Sequence, residues 1–499
     1  MSFQLVIFGA TGDLAWRKIL PALFQAYRHN SLPRGGQIIG VSRDSLSDDQ
    51  FRQLIGERMQ RIEGEKRPQA EEFDEFAKLL KYQACDLSNA GDYAALKDRL
   101  GKHTNDVRVM YLATAPQLFT TICENLAAQS LNTDSTRIVL EKPLGQDLKS
   151  NQEINAIVKK FFSEKQIFRI DHYLGKPSVQ NLFALRFGNS LFEPIWRRET
   201  VSSIQITLAE EIGIASRGAF YERTGALKDM IQNHALQLLC AIAMEPPINT
   251  HADAIRDEKL KVLRSLKPWT AKSLKSDIVR GQYSNGVVQG HSAVGYTQEE
   301  GVRADSTTET FVALKTEVNN WRWAGVPFFI RTGKRLAKQD ARIVINFRPT
   351  PHPIFQTPQA SANRLTIHLQ PFDGMALHLF AQGPAQTSTP SKSAHQAPKT
   401  PLGPLLSPVE LNLDFEQRFG SDRVGAYERL LLDALAGRLN LFVRSDEQEA
   451  AWSWVEPIIE DWRKADSPLH TYPSGSWGPI QSKEMIEHAG HHWDDDIKK

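Results

Sequence analysis

Cysteine is scarce in this chain, with three in 499 residues at positions 85, 123 and 240. Cys85, Cys123 and Cys240 form neither a ligand spacing nor an even framework. That excludes a disulfide scaffold and a cysteine-based zinc site, and it predicts reduced, buried thiols in a cytoplasmic protein. An excess of charge is also missing. The formal net charge is +2, which offers no basic field for nucleic acid and none for a membrane surface, so any anion site must be built locally. No apolar run approaches the ~20 residues that span a bilayer. The chain enters an apolar strand directly, with no basic leader and no small-residue cleavage site, so no export signal is expected. No internal repeat is visible. What is present is an ordinary globular composition, 41% apolar and 24% charged, in a chain too long for one core. Two domains are expected.

The first 170 residues alternate strands and helices. Phe3 to Phe8 reads as a buried strand, followed by Gly9-Ala10-Thr11-Gly12-Asp13-Leu14 and an amphipathic run to about His29. Strand, glycine turn and helix form the first unit of a dinucleotide-binding fold. Small residues let the backbone approach a pyrophosphate, and the helix N-terminus stabilises its charge. The three-glycine fingerprint is incomplete, because Ile7 stands where the first glycine would be, and a tight structural turn is the alternative. Gln37–Val41 is a second strand ending at Ser42-Arg43-Asp44. Arg43 there suits a 2′-phosphate, which favours NADP over NAD; a solvated arginine is the other reading, and Asp44 keeps both open. Residues 47–81 read as charge-rich helix with a solvated face. Further strands are expected at 82–85, 107–113 and 137–140, the last running into Glu141-Lys142-Pro143. The result is a parallel, doubly wound, Rossmann-like α/β domain over residues 1–175.

The next strand end carries Arg169-Ile170-Asp171-His172-Tyr173-Leu174-Gly175-Lys176. A carboxylate, an imidazole, a phenol and an ammonium stand together at a place where open α/β sheets bind ligands; a salt-bridged surface loop is the bland alternative. Beyond it, residues 176–499 read as an α+β domain with a large, mainly antiparallel sheet. A helix is expected at 179–187, a half-buried strand at 202–211, and strands near 310–318, 326–331, 341–347 and 364–380. One long helix from Phe220 to Met244 should cover a sheet face. At about 100° per residue it places Asp229 and His234 roughly 140° apart, pointing different ways. The strand at 326–331 ends in Arg331, Lys334, Arg335 and Lys338, a plausible phosphate cluster or a solvated loop. Residues 383–408 hold six prolines among Ser, Thr, Gln and Gly and read as a flexible insert. Helices follow near 423–435 and 445–463. His488, His491 and His492 read as an exposed helix end rather than a metal site.

Together these segments resemble the glucose-6-phosphate dehydrogenase family over almost the full length. The likeness rests on Gly9–Ala15, Glu141-Lys142-Pro143, Arg169–Lys176, Gly225–His234, Arg331-Thr332-Gly333-Lys334 and Tyr427–Leu431, all in the family's order. It implies oxidation of β-D-glucose 6-phosphate at carbon 1 by NADP, no metal, and a homodimer or homotetramer formed through the second domain. It also implies roles. His234 would be the general base and Asp171 the group that orients it. His172, Tyr173 and Lys176 would hold the phosphate, with Lys334 and Lys338 also reaching it. Lys142 would bridge substrate and cofactor, and Glu210 and Asp229 would bind sugar hydroxyls. Gly9, Ala10, Thr11, Gly12, Asp13, Leu14, Arg43, Asp86 and Leu87 would line the dinucleotide. The residue types suit the chemistry, since a neutral histidine with an ordinary pKa of about 6.5 can take a hydroxyl proton at pH 7.

Two features depart from the family pattern. Gln339 stands where a second basic residue is usual five positions after Lys334, and the Pro-rich insert replaces a basic connection. Two competing readings share the architecture: shorter sugar and imine dehydrogenases with a Glu-Lys-Pro strand end, and a nucleotide-sensing protein without turnover. The first lacks the Asp171–Lys176 stretch, and the second would have lost a catalytic residue.

Overall fold

The structure is a computed structural model of the chain. It describes residues 2–62, 64, 67–101, 107–352, 354–355, 362–382, 406–420, 424–464 and 467–496. Two compact units are present. One comprises Met1–Gln180, Lys228–Arg264 and Val424–Ala465; the other comprises Asn181–Leu227, Ser265–Arg423 and Asp466–Lys499. These units group the chain differently from the single expected boundary at 175/176. Helix Ala252–Arg264 packs on helices Leu236–Ala243 and Ser445–Trp462, and Phe442–Val443 pairs antiparallel with Ile167–Ile170, which draws these later segments into the first unit.

The first unit is built on strands β1 (Phe3–Phe8), β2 (Gln37–Ser42), β3 (Leu80–Ala84), β4 (Val107–Leu112), β5 (Thr136–Leu140) and β6 (Ile167–Ile170), in the order β6-β5-β4-β1-β2-β3. All five pairings are parallel. Helices cover both faces of a sheet like this, which is why β1 and β4 are buried at every position and read as largely apolar runs, interrupted by Gln4 and Arg108, which hydrogen-bond to each other. The strand order reverses between β1 and β4, the place where such sheets bind ligands. The charge-rich 47–81 stretch forms helices Asp48–Met59 and Ala70–Ala77, but each turns an apolar face inward, burying Phe51, Ile55, Met59, Phe73 and Phe76.

The second unit holds a nine-stranded sheet. Its order is Leu406–Asp414, Gly374–Gln382, Arg364–Gln370, Asp340–Phe347, Val201–Ala209, Pro327–Gly333, Phe311–Glu317, Ile278–Ser284 and His470–Pro473. The sheet is mostly antiparallel, with parallel pairings at Val201–Ala209 with Pro327–Gly333 and at Ile278–Ser284 with His470–Pro473. Val201–Ala209 is central and buried almost throughout rather than half-buried. The strand expected over 364–380 is a hairpin of two strands. The expected insert lies outside the described residues from 383 to 405. Its last residues, 406–408, instead begin a strand, and Pro408 sits opposite Phe380 on the sheet edge, where a missing N–H leaves no central ladder broken.

The expected helix from Phe220 to Met244 is three segments. Gly218–Ala226 stops at Gly225, whose φ is 66°. Added to Gly225, a Cβ would stand 2.3 Å from the Glu309 carboxylate, which accepts the Leu227 amide, so only glycine fits this turn. A π-helical stretch, Leu227–Ala235, comes next, and then Leu236–Ala243 as α-helix. From Lys228 this run belongs to the first unit; within the second unit, other residues cover its sheet. Part of that cover is helix Ile480–His488 and the residues after it. Met485, Ile486 and Trp493 join Tyr283, Phe311, Phe329 and Tyr472 in one core cluster. His491 packs on Phe329 with ring centroids 5.4 Å apart, while His488 is exposed. Among the described residues no group of three metal-ligating side chains occurs, and no helix is long and apolar enough to cross a membrane.

Candidate active site

The carboxyl ends of the parallel strands place the first unit's chemistry on one edge. The Gly9 turn follows β1, Arg43 follows β2, Asp86 follows β3, Lys142 follows β5 and Asp171 follows β6. The π-helical stretch brings in the remaining groups. With i→i+5 bonding, residues five apart stand nearly one above the other, so Asp229 and His234 come to the same side, against the expectation from a regular helix. The Asn233 side chain braces this stretch, its Nδ2 donating to the Lys228 carbonyl at 3.2 Å.

His234 is fully buried. Its Nδ1 lies 2.6 Å from Asp171 Oδ1, and its Nε2 lies 2.8 Å from Lys142 Nζ. Lys142 Nζ also donates to Asp229, to its carbonyl at 3.1 Å and to Oδ1 at 3.2 Å. The partners assign the tautomer: a carboxylate accepts and an ammonium donates, so Nδ1 carries the proton and the Nε2 lone pair points outward to Lys142. Burial and the Lys142 charge hold the imidazole below its ordinary pKa, against the opposing pull of Asp171. The base is therefore neutral at pH 7. Asp171 is buried too, and burial disfavours its charge. The His234 Nδ1–H hydrogen bond and the Lys142 charge nevertheless keep it ionised with a depressed pKa. The Tyr173 amide donates to the same Oδ1 at 2.9 Å, while Oδ2 is buried and takes no hydrogen bond among the described residues.

A stack of rings flanks this pair. His172 meets His234 edge to face with centroids 4.4 Å apart, and Tyr173 lies nearly parallel to His234 at 4.5 Å. Burial, with the Lys142 charge nearby, keeps His172 well below the ordinary histidine pKa. Lys176 Nζ sits 4.1 Å from the Tyr173 ring centroid. Tyr427 stacks on His172 at 6.0 Å, with 17° between planes. Sequence reasoning missed Tyr427 and Glu141 as individual residues. Both lay in segments that it singled out, and only their placement in three dimensions separates them from their neighbours.

The glycine turn fits a dinucleotide. Gly9 has φ 84°, and a Cβ there would come within 2.7 Å of the Ala113 carbonyl oxygen. Thr11 and Ser42 join their hydroxyls at 3.2 Å, Arg58 donates to the Thr11 carbonyl at 2.8 Å, and Asp13 pairs with Arg17 at 2.8 Å. The helix begins at Asp13, so the amides around Ala10 to Leu14 lie at a helix N-terminus. Asp86 is held below the usual carboxylate range by Ser88, with a contribution from Arg43, which places the guanidinium nearby. Leu87 is buried, its carbonyl accepting from the Tyr93 hydroxyl at 3.0 Å.

In the second unit the basic cluster divides. Lys334 pairs with Glu210 at 2.5 Å and lies 5.1 Å from the Tyr221 ring centroid. Arg335 pairs with Glu299 at 3.3 Å. Lys338 pairs with Asp340 at 3.2 Å, beside Trp477. The structure thus brings Lys334 and Glu210 together and sends Lys338 to a different carboxylate.

Comparison with known proteins agrees along the chain. Residues 6–181 match the model for the glucose-6-phosphate dehydrogenase NAD binding domain, and residues 183–494 match the C-terminal domain of the same family. Glucose-6-phosphate 1-dehydrogenase of Mycolicibacterium smegmatis is 45% identical over 496 residues, covering 98% of this chain and 97% of the relative. The Rhizobium meliloti protein of the same name is 44% identical, covering 99% and 98%. A solved glucose-6-phosphate dehydrogenase in complex with its substrate glucose-6-phosphate superposes with a TM-score of 0.87 at 32% identity, covering 99% of this chain and 98% of that one.

Proposed function

The chain belongs to the glucose-6-phosphate dehydrogenase family, and from that premise we propose how its own residues divide the reaction. The protein oxidises β-D-glucose 6-phosphate at carbon 1 to 6-phosphogluconolactone. A dinucleotide held at the Gly9–Leu14 turn would supply the acceptor for the hydride that leaves carbon 1. His234 Nε2 takes the proton of the carbon 1 hydroxyl, and the C–O double bond forms as the C–H bond breaks. Asp171 fixes the tautomer and stabilises the imidazolium as it develops. Lys142 and the sugar hydroxyl address the same lone pair, so Lys142 gives up Nε2 as the hydroxyl arrives and keeps Asp229. The observation that carries this reading is the buried Asp171–His234 pair with Nε2 directed outward.

His172, Tyr173 and Lys176 are the proposed phosphate ligands. Their closeness to the base supports this, because the dianion then lies in register with carbon 1. Lys176→Ala is expected to raise KM for glucose 6-phosphate about ten- to a hundredfold, equivalent to the roughly 1.5–3 kcal/mol of a charge-assisted hydrogen bond. Any slow turnover of free glucose should be unaffected. Equal losses on both sugars, read from parallel saturation curves, would remove the phosphate role.

NADP is the proposed cofactor, with Gly9 to Leu14 at the pyrophosphate and Arg43 at the 2′-phosphate. The deciding assay follows reduced-nicotinamide absorbance with glucose 6-phosphate and either NADP or NAD. Arg43→Ala should weaken NADP far more than NAD; if both weaken alike, Arg43 is structural. A homo-oligomer formed through the second unit is also proposed. It is supported by the edge strand Leu406–Asp414, which exposes Val409, Leu411 and Leu413. The three free, buried cysteines support a cytoplasmic location.

A further inference from the structure

Glu141 is a buried carboxylate with no direct contact to His234 or Asp171 among the described residues, yet two of the groups it meets lead to them. It follows β5 immediately and is 6% exposed. Tyr111, from the neighbouring strand β4, donates its hydroxyl to Oε1 at 2.5 Å. The Lys142 amide faces Oε2 at 3.3 Å. The Tyr427 hydroxyl reaches the same carboxylate. These are three donors on one acid, two of them from elements distant in sequence. Lys142 carries its ammonium to His234 Nε2 and Asp229. Tyr427 lays its ring on His172, and His172 abuts His234. A buried carboxylate is costly, and it persists where its oxygens satisfy donors that must be held in place.

We propose that Glu141 is a positioning residue of the dehydrogenase reaction, an acceptor hub that sets Lys142 on one side of the base and the Tyr427–His172 stack on the other. A neutral amide in its place has one acceptor oxygen and an N–H₂ group that faces a phenol or the Lys142 amide. Either arrangement frees Lys142 or Tyr427. The consequence appears in the base. His234 is faced by Asp171, Lys142, Asp229, His172 and Tyr173, and Glu141 by Tyr111, Tyr427 and Lys142. The Lys142 charge depresses the His234 pKa, so a Lys142 that no longer holds its place lets that pKa rise.

The test is Glu141→Gln in the full chain, assayed with glucose 6-phosphate and NADP across pH. The expected result is a kcat reduced about ten- to a hundredfold, the scale of a small misplacement at a reacting centre. The two KM values should change little, and the acidic limb of kcat/KM should move to higher pH. Tyr427→Phe keeps the ring stack and loses the hydroxyl. It should move kcat in the same direction, and the double variant should be no slower than Glu141→Gln alone. An unchanged kcat and pH profile in Glu141→Gln would overturn the proposal. So would a uniform loss of active protein with the wild-type limb, since a merely structural residue gives that. Should Glu141→Gln fail to fold, an unchanged kcat and limb in Tyr427→Phe overturns it equally. The proposal rests on His234 as base, and the two failures differ: His234→Asn retaining activity removes the base, whereas an inactive His234→Asn beside an unaffected Glu141→Gln removes only the hub.

Discussion

His234→Asn is expected to lower kcat by about 10³-fold or more while KM for glucose 6-phosphate changes little. General-base catalysis by a positioned side chain contributes about 10²–10⁴-fold, and here the base acts on a proton that must leave as the hydride does. Asparagine keeps a polar group of similar reach but cannot accept a proton near pH 7. The loss therefore falls on the transition state rather than on ground-state binding, which lowers kcat and kcat/KM together. The pH profile supplies an independent check. Burial and Lys142 depress the His234 pKa, so the imidazole is already neutral at pH values below the ordinary histidine range. The acidic limb of wild-type kcat/KM should accordingly lie below about pH 6.5, and in the variant that limb should vanish from what activity remains. Steady-state rates over pH 5–9 would decide it. A loss of tenfold or less, or a limb unchanged in the variant, would assign the proton transfer to another group.

Much of this architecture was legible in the chain itself. β1, β4 and β5 are mostly apolar because both their faces are covered, and the Gly9 turn identifies the switch point. The pairing of Asp171 with His234 came from resemblance and not from spacing, and the local geometry was misread. A period of 3.6 residues separates Asp229 from His234. The chain instead adopts i→i+5 winding after a glycine turn that Glu309 makes obligatory, and nothing in the apolar pattern of 227–235 signals that change. Ile278–Ser284 was missed for a related reason. Its Arg280 and Gln282 look like solvent positions, yet both are buried because carbonyls of Ser467, Pro468, Ser306 and Thr308 accept their hydrogen bonds. The second unit's cationic loop read as a phosphate cluster or a solvated loop. In the structure Glu210, Glu299 and Asp340 each claim one member, and the first two, remote in sequence from Lys334 and Arg335, leave no local trace.

Asp171→Asn should be nearly as damaging as removing the base, with kcat reduced by about 10³–10⁴-fold, as expected when a buried acid that sets a histidine tautomer becomes an amide. The geometry gives the reason. If the asparagine oxygen faces Nδ1, its amide nitrogen occupies the position of Oδ2, which is buried and takes no hydrogen bond among the described residues. If the amide flips, its N–H₂ faces Nδ1 and drives the histidine proton to Nε2, where it meets the Lys142 ammonium instead of a substrate hydroxyl. Either way the Nε2 lone pair is lost or its base weakened. The sign of the pH effect follows from the same contacts. Asp171 is the main influence raising the His234 pKa against burial and Lys142. Removing its charge lets that pKa fall further, so the acidic limb should move to lower pH even as the plateau drops. This is opposite to the shift expected for Glu141→Gln. In a His234→Asn background, Asp171→Asn should cost little more, because the two residues act as one unit. Additive losses in the double variant, or a limb that moves to higher pH in Asp171→Asn, would mean that the carboxylate acts on substrate or fold and not through the histidine.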